Sequence, residues 1–185
     1  MIQIAFSGKM RAGKDTAADY IIKKLGEDGF YVERMAFADT LKGIRGHFQE
    51  ECGFEVVKDR ELEIMIGQYA RKLDPLVWVN ATEREIKAEV LTDCFKIVTD
   101  MRFPNEFNML ERNKFILVRI EAEPEVRLAR GADPEFMNND SETALDEYAA
   151  SGQKFQFVIN NNRGLDELYV KLDRLLDFAW KMTGK

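Results

Sequence analysis

Histidine and cysteine are scarce in this sequence. The only histidine is His47, which excludes a zinc cluster built on several imidazoles. Its place between Gly46 and Phe48 favours a partly exposed position on a helix over a catalytic role. The two cysteines, Cys52 and Cys94, are far apart and lack the short spacing of metal ligands. We therefore expect reduced, structural thiols, as in a cytosolic protein.

Long apolar runs and an excess of positive charge are also missing. No stretch reaches the roughly 20 apolar residues of a transmembrane helix, and the N-terminus lacks a signal-peptide pattern. The net charge of -6 argues against broad binding to nucleic acid or membrane surfaces, because both need a dominant basic face. Without repeats or linkers, residues 1–185 are expected to form a single domain with a real core, located in the cytoplasm.

The most informative stretch follows the first apolar run, at residues 2–6. Residues 8–14 have the pattern Gly-x-x-x-x-Gly-Lys between a predicted strand and a predicted helix, which is the context that a phosphate-binding loop requires. Gly8 and Gly13 can take backbone angles closed to other residues. The loop amides and the helix N-terminus then point at an anion, and Lys14 places a cation against the outer phosphates. The alternative is an ordinary glycine turn with an exposed lysine.

The position after Lys14 departs from the common pattern. Serine or threonine usually stands there as a magnesium ligand, whereas this chain has Asp15 followed by Thr16. A carboxylate can also bind the ion, directly or through water. Asp15 and Thr16 are therefore both candidate ligands.

Predicted strands alternate with predicted helices along the chain. The predicted strands are 2–6, 31–37, 94–100, 114–120 and 155–159. The predicted helices are 14–28, the start of 43–59, 60–73, 75–90 with Asp74 as N-cap, a helix from Pro104, 123–129, 141–146 and a helix from 165, whereas 131–141 is predicted to be a mobile loop. A strand, a helix and a strand with a glycine-rich first turn predict a three-layer α/β domain with a five-stranded parallel sheet.

Two acidic residues lie at predicted strand ends, where open α/β sheets bind ligands. Asp39 follows the second strand and either caps the next helix or also faces a substrate. Asp100 ends a continuous apolar strand that is predicted to be central. An acid there, beside a phosphate loop, holds magnesium or its waters. The alternative is a turn residue that caps the helix beginning at Pro104.

Several arginines lie in segments expected near the same edge of the sheet. They are Arg11, Arg71, Arg102, Arg127 and Arg130. Phosphoryl transfer needs such cations, and it needs little from a general base, for which no convincing candidate is present. Gly67 leaves room beside Arg71 one helical turn later, and the spacing of Arg127 and Arg130 predicts that they share one face.

These residues resemble a known family. The resemblance rests on residues 13–16, 37–42, 99–106, and 141–142 with 159–164, of which Gly-Lys-Asp-Thr and Asp-Met-Arg-Phe-Pro-Asn-Glu are the more specific. The chain resembles the bacteriophage-type deoxynucleoside monophosphate kinases, within the nucleoside-monophosphate-kinase-like P-loop group. The turn at 160–164 is shared with dephospho-CoA kinase and other relatives.

The resemblance implies a P-loop kinase fold with a helical monophosphate-binding region at about 39–92 and a lid at about 127–146. It implies a transferase that uses ATP and Mg²⁺ to phosphorylate a deoxynucleoside monophosphate, in the host cytoplasm if the chain comes from a phage. Small-molecule nucleotides are then its partners, without stable binding to nucleic acid or membrane. The sequence leaves open whether the protein forms a homodimer.

The resemblance also assigns roles to individual residues. Those implied to bind ATP or its magnesium are Gly8, Lys9, Ala12, Gly13, Lys14, Asp15, Thr16, Arg127, Asn160 and Gly164, with Asp100 as a further metal candidate. Those implied to face the acceptor are Asp39, Arg71, Trp78 and Arg102. Those implied to act on the transferring phosphate are Lys14, Arg102 and Arg130.

Two alternatives remain open from the sequence. One is a P-loop kinase with another small phosphorylated acceptor, such as dephospho-CoA or phosphomevalonate. The other is a P-loop ATPase that acts as a switch. The arginine-bearing lid candidate favours transfer over hydrolysis, because a lid excludes water.

Overall fold

The structure is a computed structural model that describes residues 2–88, 94–151 and 154–182. The strands are β1 (Gln3–Gly8), β2 (Tyr31–Met35), β3 (Cys94–Met101), β4 (Ile116–Glu121) and β5 (Phe157–Asn160). The helices are α1 (Lys14–Glu27), α2 (Phe37–Glu51), α3 (Arg60–Leu73), α4 (Val77–Lys87), α5 (Pro104–Arg112), α6 (Pro124–Ala129), α7 (Asp140–Thr143), α8 (Asp146–Ala150) and α9 (Leu165–Met182). A short 3₁₀ helix spans Pro134–Phe136.

The strands form one sheet in the order β2-β3-β1-β4-β5. β1 pairs in parallel with β3 and β4, and β4 pairs in parallel with β5. The predicted five-stranded parallel sheet is confirmed. Because parallel strands all end at the same edge, the phosphate-binding loop after β1 lies beside the ends of β3 and β4.

Helices on the sheet enclose the main core. Ile21 and Leu25 of α1 and Leu172 of α9 are almost fully buried against apolar residues of the strands, such as Ile4. Each such side chain contributes about 1.5–3 kcal/mol by leaving water. The apolar residues that recur at helical spacing in 14–28 and 165–179 thus form the buried faces of α1 and α9, although Leu165 itself is exposed.

The chain divides into two compact units. The first comprises Met1–Arg34 and Leu91–Lys185, and the second comprises Met35–Val90. The second unit consists of α2, α3 and α4 packed on one another. Asp59 caps α3 by accepting a hydrogen bond from the Leu62 amide at 3.0 Å, and Arg45 of α2 pairs with Glu63 of α3 at 3.0 Å.

Several predicted boundaries were wrong. The second strand ends at Met35, since Phe37 already begins α2. The fourth strand begins at Ile116 because Lys114 adopts a left-handed backbone conformation with φ of 63°. Asp74 is not an N-cap, because α4 begins at Val77 and the Asp74 carboxylate instead accepts a hydrogen bond from the Leu76 amide at 2.8 Å.

Two further regions differ from the sequence predictions. The last strand begins at Phe157 instead of residue 155. The segment 131–141, predicted to be a loop, contains the 3₁₀ helix and the first residues of α7. Residues 89–92, the end of the predicted fourth helix and of the monophosphate-binding region, lie outside the described residues.

The scarce residues occupy ordinary positions. His47 is exposed on α2, Cys52 is exposed, and Cys94 is buried; both thiols are free. Burial raises the pKa of the Cys94 thiol, which makes it less reactive. Over the described ranges, no helix combines the length and apolar character needed to cross a membrane.

Candidate active site

The loop between β1 and α1 needs glycine at both ends of its pattern. A Cβ on Gly8 would lie 2.6 Å from the Ile120 carbonyl oxygen, inside van der Waals contact. Gly13 has a φ of 103°, and a Cβ there would lie 2.3 Å from Nδ2 of Asn161. Residues with a side chain therefore meet steric conflict at both positions.

Asn161 and Arg130 hold the loop from the opposite side. The Asn161 side-chain amide donates to the Ala12 carbonyl at 2.8 Å, and Nη2 of Arg130 donates to the Asn161 carbonyl at 2.8 Å. Nη1 of Arg130 also lies 3.5 Å from the carbonyl oxygens of Arg11 and Ala12. The sequence predicts Asn160 as the asparagine of the nucleotide site. The one that contacts the loop is Asn161, and a run of three asparagines does not show which of them does so.

A cavity of about 590 Å³ opens over this loop, within the first unit. It is lined by Met10, Arg11, Gly13, Lys14, Asp15, Thr16, Arg102, Arg130, Asn161, Gly164 and Leu165. The structure therefore brings the predicted residues 13–16 together with three of the five predicted arginines, Arg11, Arg102 and Arg130. Gly8, Lys9 and Ala12 are not part of this lining. The N-terminus of α1 and several cationic side chains border this cavity, an arrangement that suits an anion.

Lys14 is the most unusual residue of the cavity. Only 7% of it is exposed, and its ammonium forms no hydrogen bond or ion pair with the part of the chain that the structure describes. Burial and the charge of Arg102 lower the pKa of Lys14, although Asp15 and Glu142 partly oppose this effect. A buried cation without a partner is unfavourable until an anion joins it.

The lowered pKa of Lys14 predicts a pH dependence of stability. The folded-state pKa lies below the usual 10.5, so the unfolded chain binds more protons between the two values and the free energy of unfolding rises with pH there. Lys14→Met removes this titration. We expect the variant to be more stable than the wild type at neutral pH, with a difference that shrinks as the pH approaches 10.5. Urea unfolding over this pH range measures it, and a constant difference would contradict it.

Arg102 is held by a buried carboxylate that the sequence analysis missed. Its Nη1 lies 2.5 Å from Oε1 of Glu142, which is only 4% exposed. The other oxygen of Glu142 accepts a hydrogen bond from the Met10 amide in the phosphate-binding loop. Glu106 fixes the turn around Arg102, because its carboxylate accepts the backbone N–H of Arg102 at 2.6 Å.

The predicted magnesium ligands fit a site of the kind that Mg²⁺ uses. Asp15 and Thr16 line the cavity, and the charge of Asp100 acts on Lys14. Oxygen donors of this kind suit Mg²⁺, which typically takes one or two carboxylates together with substrate phosphates and water. Within residues 2–88, 94–151 and 154–182, no three His, Cys, Asp or Glu side chains form a metal-binding cluster. The Asp15 carboxylate lies 3.3 Å from Arg34.

A second, smaller cavity of about 190 Å³ adjoins the end of β4. It is lined by Lys9, Arg119, Ile120, Glu121, Ala122, Glu123, Pro124, Arg127 and Asn160. Arg119 donates to the Ser7 hydroxyl at 3.0 Å and to Asp146 at 2.9 Å, while Lys9 pairs with the other oxygen of Asp146 at 2.7 Å. Burial lowers the pKa of Arg119. A charged residue within a predicted apolar strand is the sequence signal that could have identified Arg119 as a site residue.

Comparison with solved structures identifies the architecture. The chain is similar to shikimate kinase from Acinetobacter baumannii in complex with shikimate, with a TM-score of 0.57 and 15% identity over 100% of this chain and 96% of that one. It is also similar to shikimate kinase from Bacteroides thetaiotaomicron, with a TM-score of 0.51 and 17% identity over 96% and 97%. The fold is that of a P-loop kinase.

Curated relatives add sequence similarity without a described activity. Uncharacterized protein ORF77 of Ictalurid herpesvirus 1 (strain Auburn) is 31% identical over 148 residues, which cover 78% of this chain and 59% of the relative. Uncharacterized protein ORF76 of the same virus is 27% identical over 108 residues, covering 58% and 42%. The chain thus spans about half the length of these relatives. No protein-family model matches the chain.

The two arginines predicted for the lid, Arg127 and Arg130, do not lie together in this P-loop kinase fold. α6 ends at Ala129, so Arg127 lies within the helix and Arg130 lies beyond its end. Arg130 lines the larger cavity and Arg127 lines the smaller one. The prediction that the two share one face is therefore wrong. Contact of Arg127, Lys9 and Asn160 with ATP stays a prediction.

Three of the four residues predicted to bind the acceptor lie in the second unit, whereas Arg102 belongs to the first. Asp39 is in the first turn of α2 and pairs with Lys42 at 3.0 Å, but the N-cap is Ala36, so the capping role predicted for Asp39 is wrong. A Cβ on Gly67 would lie 3.4 Å from Nη1 of Arg71, which is an ordinary van der Waals contact. The two residues therefore lie side by side, as their spacing predicts, whereas a need for glycine at position 67 stays a prediction.

Trp78, also in the second unit, is 5% exposed and lies 3.5 Å from the Gly67 carbonyl oxygen, to which its indole N–H donates. This places a large aromatic side chain against the small residue beside Arg71. The contacts of Asp39, Arg71 and Trp78 with an acceptor stay predictions.

Proposed function

We propose that this protein transfers the terminal phosphoryl group of ATP to a deoxynucleoside monophosphate, with Mg²⁺. The observation that carries the proposal is the buried Lys14, unpaired among the described residues, in a cavity whose wall includes residues of the phosphate-binding loop and Arg102. Such an arrangement suits an anion with several oxygens. The P-loop kinase fold supports the same chemistry.

In the proposed reaction, the bond from the terminal phosphorus to its bridging oxygen breaks, and a bond to an oxygen of the acceptor phosphate forms. ADP leaves with the bridging oxygen. The acceptor phosphate is already ionised at neutral pH, so the step needs little from a general base. Lys14, Arg102 and Arg130 stabilise charge on the moving group, and Mg²⁺ held near Asp15 and Thr16 would neutralise charge on the ATP phosphates.

The choice of acceptor rests on the resemblance to the bacteriophage-type deoxynucleoside monophosphate kinases. The stretches that carry it include the turn with Asp39 and the strand end with Arg102. The second unit supplies a guanidinium, Arg71, and a large aromatic side chain, Trp78, each of which lies beside Gly67. We assign the acceptor phosphate to Arg71 and the acceptor base to the region of Trp78. A cytoplasmic location belongs to the same proposal.

Arg71→Ala tests the acceptor assignment. Loss of a guanidinium from the acceptor phosphate is expected to raise the acceptor KM about tenfold or more, because a hydrogen bond to a charged group contributes about 1.5–3 kcal/mol. The KM for ATP should change little. Steady-state kinetics with each substrate varied in turn provide both values, with Lys72→Ala on the same exposed helix turn as the matched control. Equal changes in both KM values would remove Arg71 from the acceptor site.

The proposed function is tested by coupled measurement of ADP release with ATP, Mg²⁺ and each common deoxynucleoside monophosphate in turn. Release that depends on one or more of these acceptors is expected. Release without any acceptor would instead indicate an ATPase. Release only with dephospho-CoA, phosphomevalonate or shikimate would keep the kinase and replace its acceptor.

A further inference from the structure

Arg127 is a buried cation without a partner among the residues that the structure describes. Only 5% of the residue is exposed, and Nε and Nη1 of its guanidinium are fully buried without a hydrogen-bond acceptor. Its side chain forms no ion pair within the described ranges of the chain. The side chain lines the smaller cavity, at the end of β4.

A guanidinium has five N–H donors and no acceptor, so a buried one needs several acceptors around it. A buried charge without a counter-ion is strongly unfavourable. The folded chain therefore bears a free-energy penalty at Arg127 that an anion entering the cavity would offset.

The carboxylates in and beside the cavity do not supply this counter-ion. Asp146, beside the cavity, is shared by Lys9 at 2.7 Å and Arg119 at 2.9 Å. Glu121 lies 3.8 Å from Nε of Arg119. Nε of Arg119 is also buried without a hydrogen-bond acceptor. Two arginines that line this cavity thus have guanidinium nitrogens without a hydrogen-bond acceptor among the described residues.

We propose that this smaller cavity is an oxyanion-binding site that takes a free phosphate-type anion on Arg127, separately from the nucleotide cavity. Its lining shares no residue with that of the larger cavity. A phosphate offers several acceptor oxygens to the unsatisfied guanidinium nitrogens and supplies the missing negative charge. The site goes beyond the proposed kinase reaction and does not depend on it.

Thermal unfolding of Arg127→Met in a buffer without polyvalent anions tests whether Arg127 serves a ligand or the fold. Methionine keeps most of the apolar volume and removes the unpaired charge. We expect the melting temperature to equal or exceed that of the wild type, and the rise caused by inorganic phosphate at the second cavity to be lost. Arg174→Met, which removes an exposed arginine from α9, should retain the full rise. A lower melting temperature for Arg127→Met without phosphate would overturn the proposal, because Arg127 would then stabilise the fold itself.

Phosphate can also enter the larger cavity, so the two sites are separated by a second set of measurements. In Lys14→Ala, a phosphate-induced rise in melting temperature is expected to persist, and in Lys14→Ala/Arg127→Met it should disappear. In the wild type saturated with a non-hydrolysable ATP analogue and Mg²⁺, added phosphate should still raise the melting temperature. Loss of the rise in Lys14→Ala or with the analogue would assign Arg127 to the nucleotide's own phosphates and overturn a separate site. A rise reproduced by sodium chloride at equal ionic strength would do the same.

Discussion

Lys14→Ala is expected to reduce acceptor-dependent ADP release by about a thousandfold, the scale on which single charge-stabilising groups act in phosphoryl and acyl transfer. Lys14 is the buried cation of the larger cavity and has no partner in the described protein. Its charge is therefore available to the phosphate oxygens, where it opposes the negative charge that develops during transfer. Steady-state turnover with saturating ATP and acceptor measures the loss.

The same variant should stay folded. Lys14 forms no hydrogen bond or ion pair with the described residues. Its replacement by alanine therefore leaves no buried carboxylate without its partner. Lys23→Ala is the matched control, since this lysine of α1 has a side chain that is 77% exposed. Turnover of Lys14→Ala within a few-fold of the wild type, with both proteins folded, would show that the cavity does not hold the transferring phosphate.

Arg102→Ala is expected to have two separable effects. Turnover should fall about a thousandfold, as when a transition-state arginine is removed. The melting temperature should also fall, because Glu142 remains buried after losing the guanidinium at 2.5 Å. Adding Glu142→Gln to this variant removes the uncompensated charge. The double variant should regain much of the thermal stability and none of the activity.

This pair of variants distinguishes a catalytic arginine from a structural one. Circular dichroism melts and turnover measurements on Arg102→Ala, Glu142→Gln and the double variant provide the comparison. If the double variant regains activity together with stability, Arg102 acts only by neutralising Glu142. If Arg102→Ala keeps its melting temperature, the ion pair contributes nothing to folding.

The sheet and the phosphate-binding loop were predictable because their signals are local. A continuous apolar run identifies a strand buried on both faces, and Gly13 is required by its own backbone conformation and by the side chain beside it. The third strand and the helix from Pro104 were also predicted close to their observed bounds. Each of these features is decided by a short stretch of sequence.

The supporting contacts of the site were not predictable, because they join distant parts of the chain. Glu142 binds Met10 and Arg102, and Asp146 joins Lys9 to Arg119. Charge and spacing alone do not show which acidic residue meets which loop. The separation of Arg127 from Arg130 depends likewise on the end of α6 at Ala129, since helix ends are the least certain feature of a periodic pattern.

Isotope tracing tests most directly whether this protein transfers a phosphoryl group to a deoxynucleoside monophosphate. The protein is incubated with ATP labelled in its terminal phosphate, Mg²⁺ and a deoxynucleoside monophosphate, and the labelled products are separated by chromatography. We predict that the label appears in the deoxynucleoside diphosphate and is absent in the reaction of Lys14→Ala. Label that appears only in inorganic phosphate, whatever the acceptor, would contradict the proposed transfer.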